Sequence, residues 1–383
     1  MRLSLLLERE PFGDILERTL SRFWSEKYGD DFTVKWGAAV EGGQHWRGNP
    51  YLNYFGVDDV DPRCFDVIRK EYSYSRRPWL RPVQSAYVFL ALLRPVRRYC
   101  SRLSFAVTPP VPDAAGQLVI PGNHRLRILQ PSLGEVEVLH KVGFPPESFQ
   151  RELRARQGAA KTVAPRLLKV DTDERWFTES YFAGTPANRL PPTQQAQVRS
   201  EAARMLDEQV HQATLRQQPL REYSESLVSR ITEHAPSLGE SLDVILAALS
   251  RGGVQLDMVR SHGDFQDGNI LFSLDEGVRI IDWEFSQERS RIYDLATMLS
   301  GIRLAGDWIE CWQKTALAWM QQPDVWRDVL PASPVCSREL VLVWLLEETL
   351  LRAEQMVMRP QEQVVDYMAP LTMSFGVAVK VVV

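Results

Sequence analysis

Residues 261–284 constrain this chain more than any other stretch. They read Ser261-His-Gly-Asp264-Phe-Gln-Asp-Gly-Asn269-Ile-Leu-Phe272 and then, beyond Ser273 to Gly277, Val278-Arg-Ile-Ile-Asp282-Trp-Glu284. Past Pro192 nearly all else has helical periodicity, so a polar loop running into two short apolar strands is the exception there. Pairing of those strands as a hairpin brings Asn269 and Asp282 together at one end, with Asp264 in the adjoining loop. Alone, His-Gly-Asp reads as a turn and Asp-Trp as a strand end. The information lies in their joint spacing.

Those groups suit phosphoryl transfer. A carboxylate orients an attacking hydroxyl and takes its proton, while carboxylate and carboxamide oxygens hold Mg²⁺, a hard cation that prefers oxygen. His262-x-Asp264-x-x-x-x-Asn269 followed by Ile281-Asp282-Trp283-Glu284 resembles the catalytic and metal motifs of the aminoglycoside phosphotransferase and choline kinase family. This family is related to the protein kinases, which keep the same Asp-to-Asn spacing. The resemblance implies an α+β, two-lobed, protein-kinase-like fold: a small β-rich lobe, a larger mainly helical lobe and an extra N-terminal region. It implies Asp264 as catalytic base, Asn269 and Asp282 as Mg²⁺ ligands, and ATP as the other cofactor. Tyr293-Asp294-Leu-Ala matches the family's Asp-Leu-Ala, with Asp294 bracing the loop. His262 is expected as structural support, since Asp264 already supplies the base; proton transfer is its other reading.

Upstream, Leu118–Ile120, Arg125–Leu129 and Glu135–Lys141 read as three strands, a helix follows over Ser148–Gln157, and Trp176–Tyr181 is a further strand. A kinase-like small lobe needs a cation for the nucleotide phosphates, held by a helix carboxylate. Lys141 at the third strand's end and Glu152 in the helix fit, with Glu147 as the competing carboxylate. The phosphate-covering turn departs from a Gly-rich loop, offering only Pro121-Gly122-Asn123-His124. Gly122 and Asn123 are the expected phosphate contacts, and Glu179, Tyr181 and Phe182 the expected adenine-side hinge. The Pro-rich stretch Thr108–Asp113 reads as a linker. The expected organisation is an N-terminal extension over 1–115, a nucleotide-binding lobe over 116–183 and a catalytic, acceptor-binding lobe over 184–383.

The 383-residue length allows two or three cores, and a net charge of −4 gives no case for nucleic acid. Four scattered cysteines suggest neither a zinc site nor disulfides, which points to a reducing cytoplasm. The opening apolar run is cut off by Glu8, Arg9 and Glu10, too soon for a signal peptide. Between Arg69 and Arg102 stand nine Arg or Lys against the single acid Glu71, with tyrosines and Trp79 interleaved. This stretch reads as a solvated surface, a site for an anionic acceptor, or a peripheral contact with an anionic membrane. Trp308, Trp312, Trp319, Trp326 and Trp344 read as core or as an acceptor wall. Glu339, Glu347 and Glu348 read as a solvated helix face or as ligands of a cationic acceptor.

The expected activity is a kinase acting on a hydroxyl of a small molecule, a sugar or sugar-containing acceptor such as a lipopolysaccharide sugar or aminoglycoside. A protein kinase is the nearest alternative; Asp294 follows Asp282 closely, without a long activation segment or Ala-Pro-Glu. A non-catalytic pseudokinase scaffold is the alternative from another class.

Overall fold

The computed structural model describes residues 3–37, 42–75, 77–101, 103–249, 254–300 and 337–357. Trp308, Trp312, Trp319 and Trp326 lie outside these residues. The chain divides into two compact units, Met1–Val198 with Leu271–Glu284, and Arg199–Ile270 with Phe285–Val383.

The first unit is built on a nine-stranded antiparallel sheet. In chain order its strands are β1 (Thr33–Trp36), β2 (Gln44–Asn49), β3 (Tyr54–Val57), β4 (Leu103–Thr108), β5 (Leu118–Pro121), β6 (Arg125–Gln130), β7 (Glu135–His140), β8 (Leu167–Val170) and β9 (Trp176–Ser180). Their spatial order is β1-β4-β2-β3-β5-β6-β7-β9-β8. The expected strands at 118–120, 125–129, 135–141 and 176–181 are all present, and β8 is added at the edge. Helices α1 (Leu3–Arg9) and α2 (Phe12–Tyr28) precede the sheet. Helix α2 buries Phe12, Ile15, Leu16, Thr19, Leu20, Phe23 and Trp24 at helical spacing. It ends where Gly29 adopts a left-handed φ of 78° and donates its N–H to the Ser25 carbonyl. The remaining helices are α3 (Asp66–Tyr72), α4 (Arg81–Leu92), α5 (Arg94–Cys100) and α6 (Glu147–Gln157).

Residues 1–115, expected as an N-terminal extension of undecided role, contribute four strands to this same sheet. The join is the β3–β5 pair, with Phe55 opposite Val119. The Thr108–Gly116 stretch therefore connects two strands of one sheet and is no interdomain linker. Apolar packing explains the continuity: Trp46, wholly buried, stacks on Phe105 at 5.6 Å and tilts against Trp24 at 5.6 Å. These rings belong to one cluster with Leu118, Val119, Ile128 and Phe177. A further sheet pairs β10 (Thr185–Pro186), β13 (Ile270–Ser273) and β14 (Gly277–Ile280) in the order β10-β13-β14, so the expected hairpin is formed.

The second unit is mainly helical. It takes in the C-terminal end of α7 (Pro192–Leu206), then α8 (Gln212–Thr214), α9 (Leu220–His234), α10 (Gly239–Ala248), α11 (Tyr293–Ser300) and α12 (Ser337–Val357). A small sheet orders β11 (Arg216–Pro219), β12 (Gln255–Arg260) and β15 (Glu288–Ser290). The α+β class expected from the sequence is met: a sheet-dominated unit and a mainly helical one. Trp344 is wholly buried core. Glu339, Glu347 and Glu348 are buried too, at 5%, 2% and 2% exposure, which corrects the expected solvated face. The contacts of Glu347 and Glu348 are internal. Glu347 accepts from the Ser290 N–H (2.6 Å), the Ser290 hydroxyl (2.6 Å) and the Tyr223 hydroxyl (2.7 Å). Glu348 accepts from the Tyr293 hydroxyl at 2.7 Å and from Arg352 at 3.0 Å. Burial pushes the Glu347 carboxyl up to about 7, against those hydrogen bonds. Among the described residues no helix is long and apolar enough to cross a membrane.

Trp46→Ala should cost about 3–5 kcal/mol by removing a fully buried indole from a shared core. Urea unfolding followed by amide exchange checks this. Loss of protection in β1–β4 alone, with β5–β9 still protected, would contradict a shared core.

Candidate active site

In the second unit, residues 261–269 form a buried loop whose backbone is held by Asp294. The Asp294 carboxylate, wholly buried at the start of α11, accepts from the His262 N–H at 2.7 Å and the Gly263 N–H at 2.9 Å. His211 Nε2 lies 3.2 Å from the same carboxylate, and His211 Nδ1 lies 3.6 Å from Asp207. Asp207 in turn takes two hydrogen bonds from Arg291, at 2.9 and 2.8 Å. Burial alone would neutralise His211, but the two carboxylates outweigh it and hold its pKa above the ordinary value. Asp294 behaves in mirror image: burial would raise its pKa, and His211, His262 and the Gly263 N–H bring it down. The result is a buried imidazolium between two carboxylates.

Gly263 lets the loop take this path. Its φ is +86°, and a Cβ there would collide with the Phe285 carbonyl and the Arg289 guanidinium. Arg289 is fixed by bonds to the Ser261 hydroxyl (2.7 Å) and the Phe285 carbonyl (3.0 Å). His262 is wholly buried, and its Nδ1 accepts the Asp264 N–H at 3.1 Å, so this nitrogen carries no proton. The imidazole thereby shapes the backbone at Asp264.

Asp264 and Asn269 are joined directly. Asn269 Nδ2 donates to the Asp264 carbonyl and to Asp264 Oδ2, both at 2.9 Å, and Gln266 Nε2 donates to Oδ2 at 3.0 Å. The amide nitrogen is thus committed, and the carboxamide oxygen is the atom chemically suited to a hard cation. Asp267 is anchored by Arg199, one of whose nitrogens lies 2.5 Å from it. Among the described residues no group of three or more His, Cys, Asp or Glu side chains gathers as a metal site.

In the first unit the expected Lys141–Glu152 pair does not form. Lys141 is wholly buried and donates to Glu10 at 2.5 Å and to the Asn123 carbonyl at 2.9 Å, with Phe12 and Phe144 rings 5.4 and 5.2 Å away. Burial lowers its pKa, opposed by Glu10. The cation that meets Glu152 is Arg125, at the start of β6. Its guanidinium also binds Asp282 directly and lies 3.2 Å from Glu284, while Arg127 reaches Asp282 at 3.5 Å.

Strand register explains the exchange. Arg125 pairs with His140 across the β6–β7 ladder, and cross-strand partners share a face. His140 packs on Phe149 of α6 at 5.5 Å, so this face looks toward Glu152. Lys141 is one residue further on and turns to the opposite face, toward α2 and Glu10. Asp282 itself sits at φ 74°, a left-handed conformation that non-glycine residues rarely adopt. Burial would raise the pKa of Glu284, but Arg125, His124 and Arg127 outweigh it and keep it below the ordinary range.

The remaining expected residues have structural partners. Gly122 donates its N–H to the Arg125 carbonyl at 3.0 Å, closing the β5–β6 turn. Glu179 binds Arg156 and stands in the ladder between Val136 and Leu167. The Tyr181 N–H is given to the Gly134 carbonyl at 2.7 Å, so sheet pairing takes this hinge donor. Phe182 is buried and lines a cavity of about 680 Å³ beside Arg166 and Arg279. Ser180 of the same segment also lines that cavity.

Residues 139–323 match the phosphotransferase enzyme family. No curated protein matches the chain. Among solved structures, a choline kinase LicA from Streptococcus pneumoniae is 16% identical, with 70% of this chain and 90% of that one covered and a TM-score of 0.43. A choline/ethanolamine kinase family protein from Mesorhizobium loti is 16% identical, covering 78% and 98%, with a TM-score of 0.42. An aminoglycoside phosphotransferase APH(4)-Ia, in ternary complex with ADP and hygromycin B, is 12% identical, covering 70% and 92%, with a TM-score of 0.45.

His211→Gln should lower Tm more at pH 6 than at pH 9. The raised folded-state pKa means that the contribution of the imidazolium is complete below its unfolded value near 6.5 and fades as pH rises through the folded one. An equal loss at both pH values would contradict a charged His211. Gly263→Ala should destabilise the protein strongly, by steric clash and positive φ together, and wild-type Tm in that variant would refute the clash.

Proposed function

We propose, from the match of residues 139–323 to the phosphotransferase enzyme family, that this chain is an ATP- and Mg²⁺-dependent kinase of a small-molecule hydroxyl group. The observation that carries the reading is the buried Asp264–Asn269 pair at the family spacing, on a loop held by Asp294. In this reading Asp264 is the base that receives the acceptor hydroxyl's proton. Asn269 and Asp282 are the metal ligands; a carboxamide oxygen and a carboxylate are a hard donor set that fits Mg²⁺. Bound Mg²⁺ would supply neutralisation of charge on the nucleotide's phosphates. His262 and Asp294 hold the loop and take no proton in the reaction.

Arg125, and not Lys141, is the phosphate cation in this proposal. It already bridges the helix carboxylate Glu152 and the metal residue Asp282, whereas Lys141 is enclosed by Glu10, Phe12 and Phe144. A planar guanidinium suits this, since it can keep Glu152 on one edge and offer another to phosphate. Gly122, Asn123 and the Glu179–Phe182 segment keep their assignment to the nucleotide's phosphate and adenine sides. The acceptor we favour is a sugar or sugar-containing molecule. Glu347 and Glu348, the carboxylates that would have attracted a cationic acceptor, are buried in internal hydrogen bonds. A scaffold that binds nucleotide without turnover is the second reading, favoured by the departure from lysine at the phosphate position.

A phosphate-transfer screen over sugars, aminoglycosides and amino alcohols with Mg-ATP tests the activity. Asp264→Asn should reduce turnover by about a hundredfold or more, and Asp282→Ala should abolish it. Equal slow ATP hydrolysis in wild type and Asp264→Asn would favour the scaffold. Titration with a fluorescent nucleotide should find Arg125→Met weakened more than Lys141→Met, and the reverse ranking would return the phosphate role to Lys141.

A further inference from the structure

Helix α4 is apolar around most of its circumference yet packs along one side only. Val88, Ala91 and Leu92 are buried, and Gln84 on the same side donates to the Tyr72 carbonyl at 2.8 Å. Opposite them Val83 and Leu90 are exposed at 65% and 53%, and on the two flanks Phe89 and Tyr87 at 59% and 47%. An exposed face normally carries polar residues at this spacing. Trp79 one turn earlier, and Leu93 and Tyr99 beyond, extend the surface. Scattered exposed apolar residues need no explanation. Here, however, seven of the sixteen large exposed hydrophobics among the described residues fall within positions 79–99.

Along the chain, this stretch carries charge of one sign. Between Glu71 and Asp113 the sequence contains seven arginines and no acid. Arg97 turns inward, donating to the Val57 and Asp58 carbonyls over the Phe65 ring. Arg77, Arg81, Arg94 and Arg98 are exposed, the first two before or at the start of α4 and the last two on α5. Aliphatic and phenyl groups at the centre, Trp79 and Tyr99 at the ends, and arginines flanking both match the interface of a bilayer. The exposed arginines of this acid-free stretch complement an anionic lipid surface. With twelve residues, about 18 Å long, α4 can lie in that interface but cannot span it.

We infer that α4 and α5 form a docking surface for an anionic phospholipid bilayer, with the α4 stripe entering the headgroup–acyl boundary and Arg94 and Arg98 pairing with lipid phosphates. The inference uses no residue of the proposed active site and stands or falls separately from it. The test is co-sedimentation of the full chain with phosphatidylcholine vesicles, with and without phosphatidylglycerol. Binding should appear with the anionic vesicles and weaken as salt is raised. Arg94→Gln with Arg98→Gln should weaken it about fivefold per arginine. Phe89→Gln with Leu90→Gln should abolish it with little change in Tm, because both side chains are more than half exposed. No binding to either vesicle, or equal binding by wild type and both double variants, would overturn the inference. Self-association abolished by the Phe89→Gln, Leu90→Gln pair, without vesicle binding, would assign the surface to a second copy and overturn it equally.

Discussion

A guanidinium surrounded by three carboxylates organises the chemistry of the first unit. Arg125 is 5% exposed and meets Glu152, Asp282 and Glu284. Ions with so little water are tolerable only when opposite charges and hydrogen bonds replace the hydration they lose. Removing the arginine would leave three acids facing one another, so this cation ties α6, the β6 strand and the segment after β14 to a common geometry. The strained φ of Asp282 persists within that restraint.

The second unit solves a similar problem with a histidine. The 261–269 loop has the His262 and Gly263 N–H groups gathered on Asp294, whose negative charge is balanced by His211, which faces Asp207, in turn paired with Arg291. Each charge in this chain of contacts stabilises the next. The loop becomes rigid because its supports are buried and mutually dependent. That rigidity suits a carboxylate such as Asp264, whose proposed task depends on position.

The 262–294 motif was legible because it is local. Asp264 and Asn269 are five residues apart, and the β13–β14 hairpin follows from two apolar runs around a turn. The cation that pairs with Glu152 was misread for the opposite reason. Lys141 ends its strand as a phosphate-binding lysine should, but faces are assigned by alternation, and one position separates the side of α6 from the side of α2. Arg125 could have been found by noting an arginine opposite the strand's last residue and asking which face that partner shared. Glu347 and Glu348 misled similarly. Carboxylates on a helix usually mark its wet side, and partners more than fifty residues away, Ser290, Tyr223 and Tyr293, join the nearby Arg352 in making their burial tolerable.

By itself the sequence determined the strand and helix segments, the loop-plus-hairpin signature and its resemblance to a phosphotransferase family, since each depends on spacing within a few dozen residues. The tertiary structure alone decided that the first 115 residues share one sheet with the next 65, that Arg125 displaces Lys141 beside Glu152, and that an apolar helix is left facing water. Those outcomes turn on register and burial between distant parts of the chain, where a one-residue step reverses a side chain's direction and no local pattern records the partner.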